Sequence, residues 1–107
     1  MSFLDTAEYF ILLALADGPA NGPMIVDQMV GDSVGGIYLR PSTLYATMKS
    51  LESDGLIEQA SVWAAPSGHV YRKSYKLSDT GKTQLSYAAR MHARASQLAK
   101  ARLGLRY

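Results

Sequence analysis

Apolar residues first recur at helical spacing over residues 6–16, where Ala7, Phe10, Ile11, Ala14 and Leu15 share one face. Tyr9, Leu12, Leu13 and Ala16 occupy the other sides, so this helix is apolar nearly all round and needs cover on two sides. Asp5 and Glu8 stand three apart ahead of it, the spacing of a capping box. The stretch DGPANGP (17–23) is turn chemistry, and Pro23 suits the first position of a second helix, predicted over 23–30 with Ile25, Met29 and Val26 inward. GDSVGG (31–36) ends it, and the β-branched and aromatic run Ile37-Tyr38-Leu39 predicts a small strand. A third helix is predicted over 41–54, stopped by Gly55 in a left-handed cap. Residues 57–64 and 70–77 predict two strands around a hairpin tip, AAPSGH (64–69). Ser78 then caps a long helix over 79–103, leaving Gly104 to Tyr107 to fray.

At about 1.5 Å per residue that last helix would reach ~37 Å, longer than a domain of this size is wide. It is amphipathic: Tyr87, Ala88, Met91, Ala95, Leu98 and Ala99 lie on one side. Together with the overly apolar first helix, this predicts a homodimer whose interface includes Phe10, Leu13, Tyr87, Met91, Ala95 and Leu98. The fold class expected is mainly α with a small antiparallel β-hairpin: a winged helix-turn-helix plus a long C-terminal helix. Residues 1–77 would form the winged unit and 78–107 the dimerisation helix.

Composition narrows the class. The 107 residues are one domain's worth, 48% hydrophobic and without cysteine, which excludes disulfides and suits a cytoplasmic protein. The longest apolar run, Phe10 to Ala16, is too short for a membrane span, and acids rather than bases precede it. Charge is lopsided. Residues 1–39 hold five acids and no Lys or Arg (−5), whereas residues 40–107 hold eleven bases against four acids (+7). Such asymmetry points to a polyanion on the second part, or to an ordinary solvated basic surface.

The third helix separates these readings further. Leu44, Met48 and Leu51 share one face; Ser42, Thr43, Ala46, Lys49, Ser50 and Ser53 share the opposite one, with Tyr45 at the border. Small polar residues let a helix backbone approach a groove closely, and its N-terminus favours phosphate. A solvated face that lacks charge fits the periodicity equally well. In the hairpin, Arg72, Lys73 and Lys76 stand beside Tyr71 and Tyr75, with His69 near the tip. They could grip phosphate, or charge an edge strand against aggregation. Jointly, helix, hairpin and charge shift favour double-stranded DNA, with Arg40, Ser42, Thr43, Tyr45, Lys49, His69, Arg72 and Lys73 as candidate contacts. A winged helix used for protein–protein contact is the alternative.

Enzyme readings fare badly. His69 and His92 are the only histidines and sit on different elements; no carboxylate pair has catalytic spacing, no Gly-rich phosphate loop occurs, and no metal or cofactor is expected.

The segments ILLALADGPANGPMIV, LRPSTLYATMKSLESDGLIE and YRKSYKLSDTGKTQL resemble the PadR family of bacterial transcriptional regulators. That family pattern runs from an apolar helix and Gly-Pro turn, through S/P-x-T-L-Y and L-E-x-x-G-L-I, to Y-x-L-T-x-x-G. Ser42 to Tyr45, Leu51 to Ile57 and Tyr75 to Gly81 carry the match. Pro23 departs from it, standing where an aromatic is usual, and Met48 replaces a usual Leu. The resemblance implies a repressor that binds a palindromic operator as a dimer, with Ser42, Thr43 and Tyr45 on DNA. It also implies release by an aromatic small-molecule effector, for which Tyr9, Tyr87, Met91 and His92 could line a space.

Overall fold

A computed structural model describes residues 3–64 and 71–104, so the hairpin tip with His69, and residues 105–107, lie outside the described residues. Helix α1 (Thr6–Ala14) opens on the expected capping box: Asp5 Oδ1 accepts from the Glu8 N–H at 2.8 Å, and Glu8 Oε1 accepts from the Asp5 N–H at 2.9 Å. It ends two residues earlier than its apolar pattern suggests. The Leu15 and Ala16 N–H groups bond to the Leu12 and Leu13 carbonyls at 3.1 Å, a tightened last turn that leads into Gly18 at φ 147°.

The chain then makes a two-residue strand, β1 (Ala20–Asn21), where the sequence suggests only a turn. Helix α2 (Gly22–Asp32) follows directly. Its cap is Asn21, whose side chain accepts from the Met24 N–H at 3.0 Å, so Pro23 sits one position deeper than expected. The strand expected at Ile37 to Leu39 does not form. Those residues run as an irregular link, with Ile37 and Leu39 half-buried against the core and the Ile37 N–H held by Ser33 Oγ at 2.9 Å. The sheet edge they would have needed is occupied by Ala20–Asn21.

Helix α3 spans Pro41–Ser53, and Gly55 takes the left-handed conformation (φ 78°) that turns the chain into β2 (Ile57–Ala64). Strand β3 is Tyr71–Leu77, and α4 is Asp79–Leu103. The sheet is antiparallel in the order β1-β3-β2, with Ala20 opposite Tyr75 and Ile57 opposite Leu77. A bulge at Ala60 shifts register between Gln59 and Ser61, and so changes which β2 residues face the body.

One core joins the elements: Ile11, Leu12 and Leu15 from α1, Ile25 and Met29 from α2, and Leu44, Met48 and Leu51 from α3, closed by Ile57, Leu77 and Leu85. Each such burial stabilises by about 1.5–3 kcal/mol. Only the start of α4 takes part, through Gly81, Leu85 and Ala88; no residue from 89 to 104 is buried. The helix therefore projects, and the molecule measures 57 × 28 × 22 Å. Among the described residues, no helix is long and apolar enough to cross a membrane. The observed class is the expected one, a winged helix-turn-helix with a long C-terminal helix.

Candidate nucleic-acid interface

The sequence of α3 makes a helix with two unlike faces. Leu44 (1% exposed), Met48 (2%) and Leu51 (0%) fix it to the core. Ser42, Thr43, Ala46, Lys49, Ser50 and Ser53 are exposed on the other side. Thr47, between the two, returns its hydroxyl to the Thr43 carbonyl at 2.9 Å. The outward face therefore offers small hydroxyl and methyl groups and one lysine, over a backbone that another surface can approach closely.

Its first turn differs from those of the other helices. Pro41 at the start forces Arg40 into an extended conformation (φ −64°, ψ 149°), and Arg40 makes no side-chain cap bond. Asp5, Asn21 and Ser78 close the N-termini of α1, α2 and α4. The N–H groups of Ser42 and Thr43 are left for an outside acceptor, at the positive end of the helix dipole and beside the exposed Arg40. That arrangement suits an anion.

Tyr45 is 49% exposed and leans from α3 onto the first turn of α2, where its ring meets Gly22. It also borders a cleft of about 300 Å³ between α2 and α3, whose walls include Val26, Tyr38 and Leu39. Behind it, Tyr75 on β3 is half-buried; burial, then Glu52, then Tyr45 raise its phenol above the ordinary 10.0. Alternation along β3 puts Tyr75 and the buried Leu77 on one face, and Lys73 continues that face as an exposed side chain. Lys76, on the other face, lies 3.7 Å from Glu58, a half-exposed pair of little energetic weight. Arg72 sits on β3 opposite Trp63, with its side chain outside the described residues.

The fold thus brings Arg40, Ser42, Thr43, Tyr45 and Lys49 together on one helix, and puts Lys73 on the hairpin. The residues expected at a dimer interface or effector space lie elsewhere. Phe10 and Leu13 are half-buried on α1, and Tyr87, Met91 and Ala95 are exposed on α4, with Leu98 half-buried. Tyr9 bridges two of these residues, stacking edge-on against Phe10 at 5.7 Å and tilted against His92 at 4.5 Å. The sequence reading missed Asn21 as a cap and Gly22 as the residue under Tyr45. An Asn three residues before Met24, followed by Gly-Pro, was the available signal for the cap.

The family model described as the transcriptional regulator PadR-like family matches residues 11–87. No curated protein matches the chain. Among solved structures, a PadR family transcription regulator from Clostridium difficile is similar at 23% identity, with a TM-score of 0.72 over 92% of this chain and 98% of that one. A protein from Streptococcus mutans is similar at 24% identity and TM-score 0.70, over 100% of this chain and 99% of that one. Bacillus subtilis PadR, solved in complex with operator DNA, is similar at 26% identity and TM-score 0.64, over 73% of this chain and 43% of that one. The matched span runs from the core of α1 through the reading helix and hairpin into the first turns of α4, and on that ground the chain belongs to the PadR-like family of transcriptional regulators, which are not enzymes.

Proposed function

We propose that the protein is a repressor that binds a palindromic operator as a homodimer in the cytoplasm, with α3 in the major groove. The observation that carries this reading is the outward face of α3: small exposed residues above a first turn whose N–H groups are left uncapped. Ser42, Thr43 and Lys49 would meet base edges or phosphates, Arg40 and Tyr45 phosphates, and Arg72, Lys73 and His69 the backbone beside the hairpin. The operator-bound state of the Bacillus subtilis relative supports the same partner here.

Residues 1–77 would do the reading and 78–107 the pairing of protomers, through Tyr87, Met91, Ala95 and Leu98 with Phe10 and Leu13 of α1. An aromatic effector held near Tyr9, Tyr87, Met91 and His92 would act on the angle between the two reading units, and so on affinity for both half-sites at once. The test is selection of a duplex from a random pool, followed by titration of the selected duplex against salt. A palindromic consensus and a steep fall of affinity with salt are expected. Arg72→Ala with Lys73→Ala should reduce the salt slope by up to ~2. Flat, sequence-blind binding would instead support a winged helix used for protein contact.

A further inference from the structure

Gly22 is buried at the start of α2, and its backbone has no positive φ that would call for glycine. Space explains it instead. A Cβ built there would overlap the Tyr45 hydroxyl oxygen and lie 2.8 Å from Cζ and 3.1 Å from Cε1. The Tyr45 ring therefore rests directly on the backbone of α2's first turn, in a seat that only a residue without a side chain leaves open. Tyr45 is itself half-exposed, so its ring does not complete the core; it spans the outside of the junction between α2 and α3. From α3's own core face, Leu44, Met48 and Leu51 hold that helix to the body, but they lie on one line and leave it free to roll. A contact off that line is what fixes the roll.

We infer that Tyr45 is a strut seated on Gly22 that sets the angle at which α3 is presented, and that Gly22 is thereby a positioning residue for sequence-specific binding. This rests on the DNA-reading role proposed above. The geometry gives the ring a role separate from any bond its hydroxyl makes to phosphate. A side chain at 22 would push the ring away and turn α3, and small turns of a reading helix move its outward side chains off the base edges. Non-specific attraction to phosphate depends on charge and would survive. A rival account of the glycine exists: it precedes Pro23, and proline disfavours helical backbone in a preceding residue that carries a Cβ. The two accounts differ in whether residue 45 matters.

The experiment compares the full-length wild-type protein with Gly22→Ala, Tyr45→Phe, Tyr45→Ala and the double variant Gly22→Ala/Tyr45→Ala. Each is titrated with the selected duplex and with a scrambled duplex of the same length, and each is melted without DNA. Gly22→Ala should lose roughly tenfold or more in affinity for the selected duplex, with little change on the scrambled one. Tyr45→Phe keeps the ring and should keep most of the selectivity. Adding Gly22→Ala to Tyr45→Ala should cost far less than it does in the wild type, in binding and in melting temperature alike. A Gly22→Ala protein as selective as the wild type overturns the strut, and so does a loss that is the same whatever stands at 45. A wild-type protein with no preference for any duplex would sink the DNA reading, whereas the melting data would still report whether 22 and 45 are coupled.

Discussion

Gly81→Ala is a small substitution with a large expected effect. The glycine lies in the first turn of α4 and is buried where that helix crosses the chain leaving α3. A Cβ on it would overlap the Leu56 carbonyl oxygen and stand 3.0 Å from the carbonyl carbon. The obstacle is backbone, so no rotamer change relieves it, and α4 must retreat by on the order of 1 Å to restore an ordinary carbon–oxygen separation. The same carbonyl accepts the Ser78 N–H at 3.1 Å, and Ser78 Oγ both caps Gly81 at 2.9 Å and donates to the Gly55 carbonyl. Retreat strains all of these bonds together. Overpacking costs about 1–3 kcal/mol, and a lost hydrogen bond about 1 kcal/mol more. Alanine returns at most about 1 kcal/mol of helix propensity.

The net loss should be about 1–3 kcal/mol, or roughly 4–12 °C in melting temperature for a chain of about 100 residues. Far-UV circular dichroism melts at fixed protomer concentration measure it, since self-association would otherwise shift the midpoint. Ser78→Ala serves as a scale: it removes the cap but adds no atom, and should cost about 1 kcal/mol. If Gly81→Ala melts at or above the wild-type temperature, the approach of α4 to Leu56 is not tight, and the explanation of this glycine by space is wrong.

Three further outcomes are expected. Val34 is 93% exposed with φ 54°, a left-handed conformation costly for a β-branched residue, so Val34→Asn should raise stability by about 0.5–1 kcal/mol in a urea titration; a fall would mean the valine is held by contacts. Tyr75 keeps its proton in the folded state to higher pH than when unfolded. Its contribution is complete below the ordinary 10.0 and is lost as pH rises through the raised folded value, so Tyr75→Phe should flatten the alkaline loss of stability in melts from pH 8 to 11. Met91→Glu, at an exposed apolar position on α4, should shift the sedimentation of a micromolar solution from dimer towards monomer; a wild-type protein that is already monomeric would refute the proposed assembly.

How far the sequence could be read depended on what each signal reports. The capping box of Asp5 and Glu8, the Ser78 cap, Gly55 and the amphipathic faces of α3 are local patterns, and each predicted its structure. Ile37 to Leu39 has strand-like residues and yet forms none, because strand formation needs a free partner edge and a local pattern does not report one. Ala20–Asn21 has almost no strand propensity and pairs with β3 because the α1–α2 turn carries it alongside Tyr75 and Ser74. On α3, the sequence separated outward residues from inward ones correctly. The contact of Tyr45 with Gly22 joins residues far apart in sequence on two helices, and nothing in the periodicity of either helix contains it. Gly81 was visible as the last residue of the exit motif, without the reason for it.

That reason bears on how the two ends of the molecule are linked. Helix α3 ends at Ser53, and within three residues the chain passes through Gly55 and Leu56, the two residues whose carbonyls Ser78 bonds. The start of α4 is therefore fastened to the exit of the reading helix by hydrogen bonds and by a contact too close for a methyl group. Beyond Ala88 the same helix leaves the body, and over its whole 25 residues it extends ~37 Å. A rigid rod fixed at one end to α3 transmits angle: a tilt of a few degrees along α4 is carried back to the body that holds α3. In the proposed dimer, the contact between two such rods would then set the separation and orientation of the two reading helices. A ligand lodged beside Tyr9 and His92, where α1 meets α4 just past Ala88, would sit at the point where the rod leaves the body. It could alter operator affinity without touching a residue of α3.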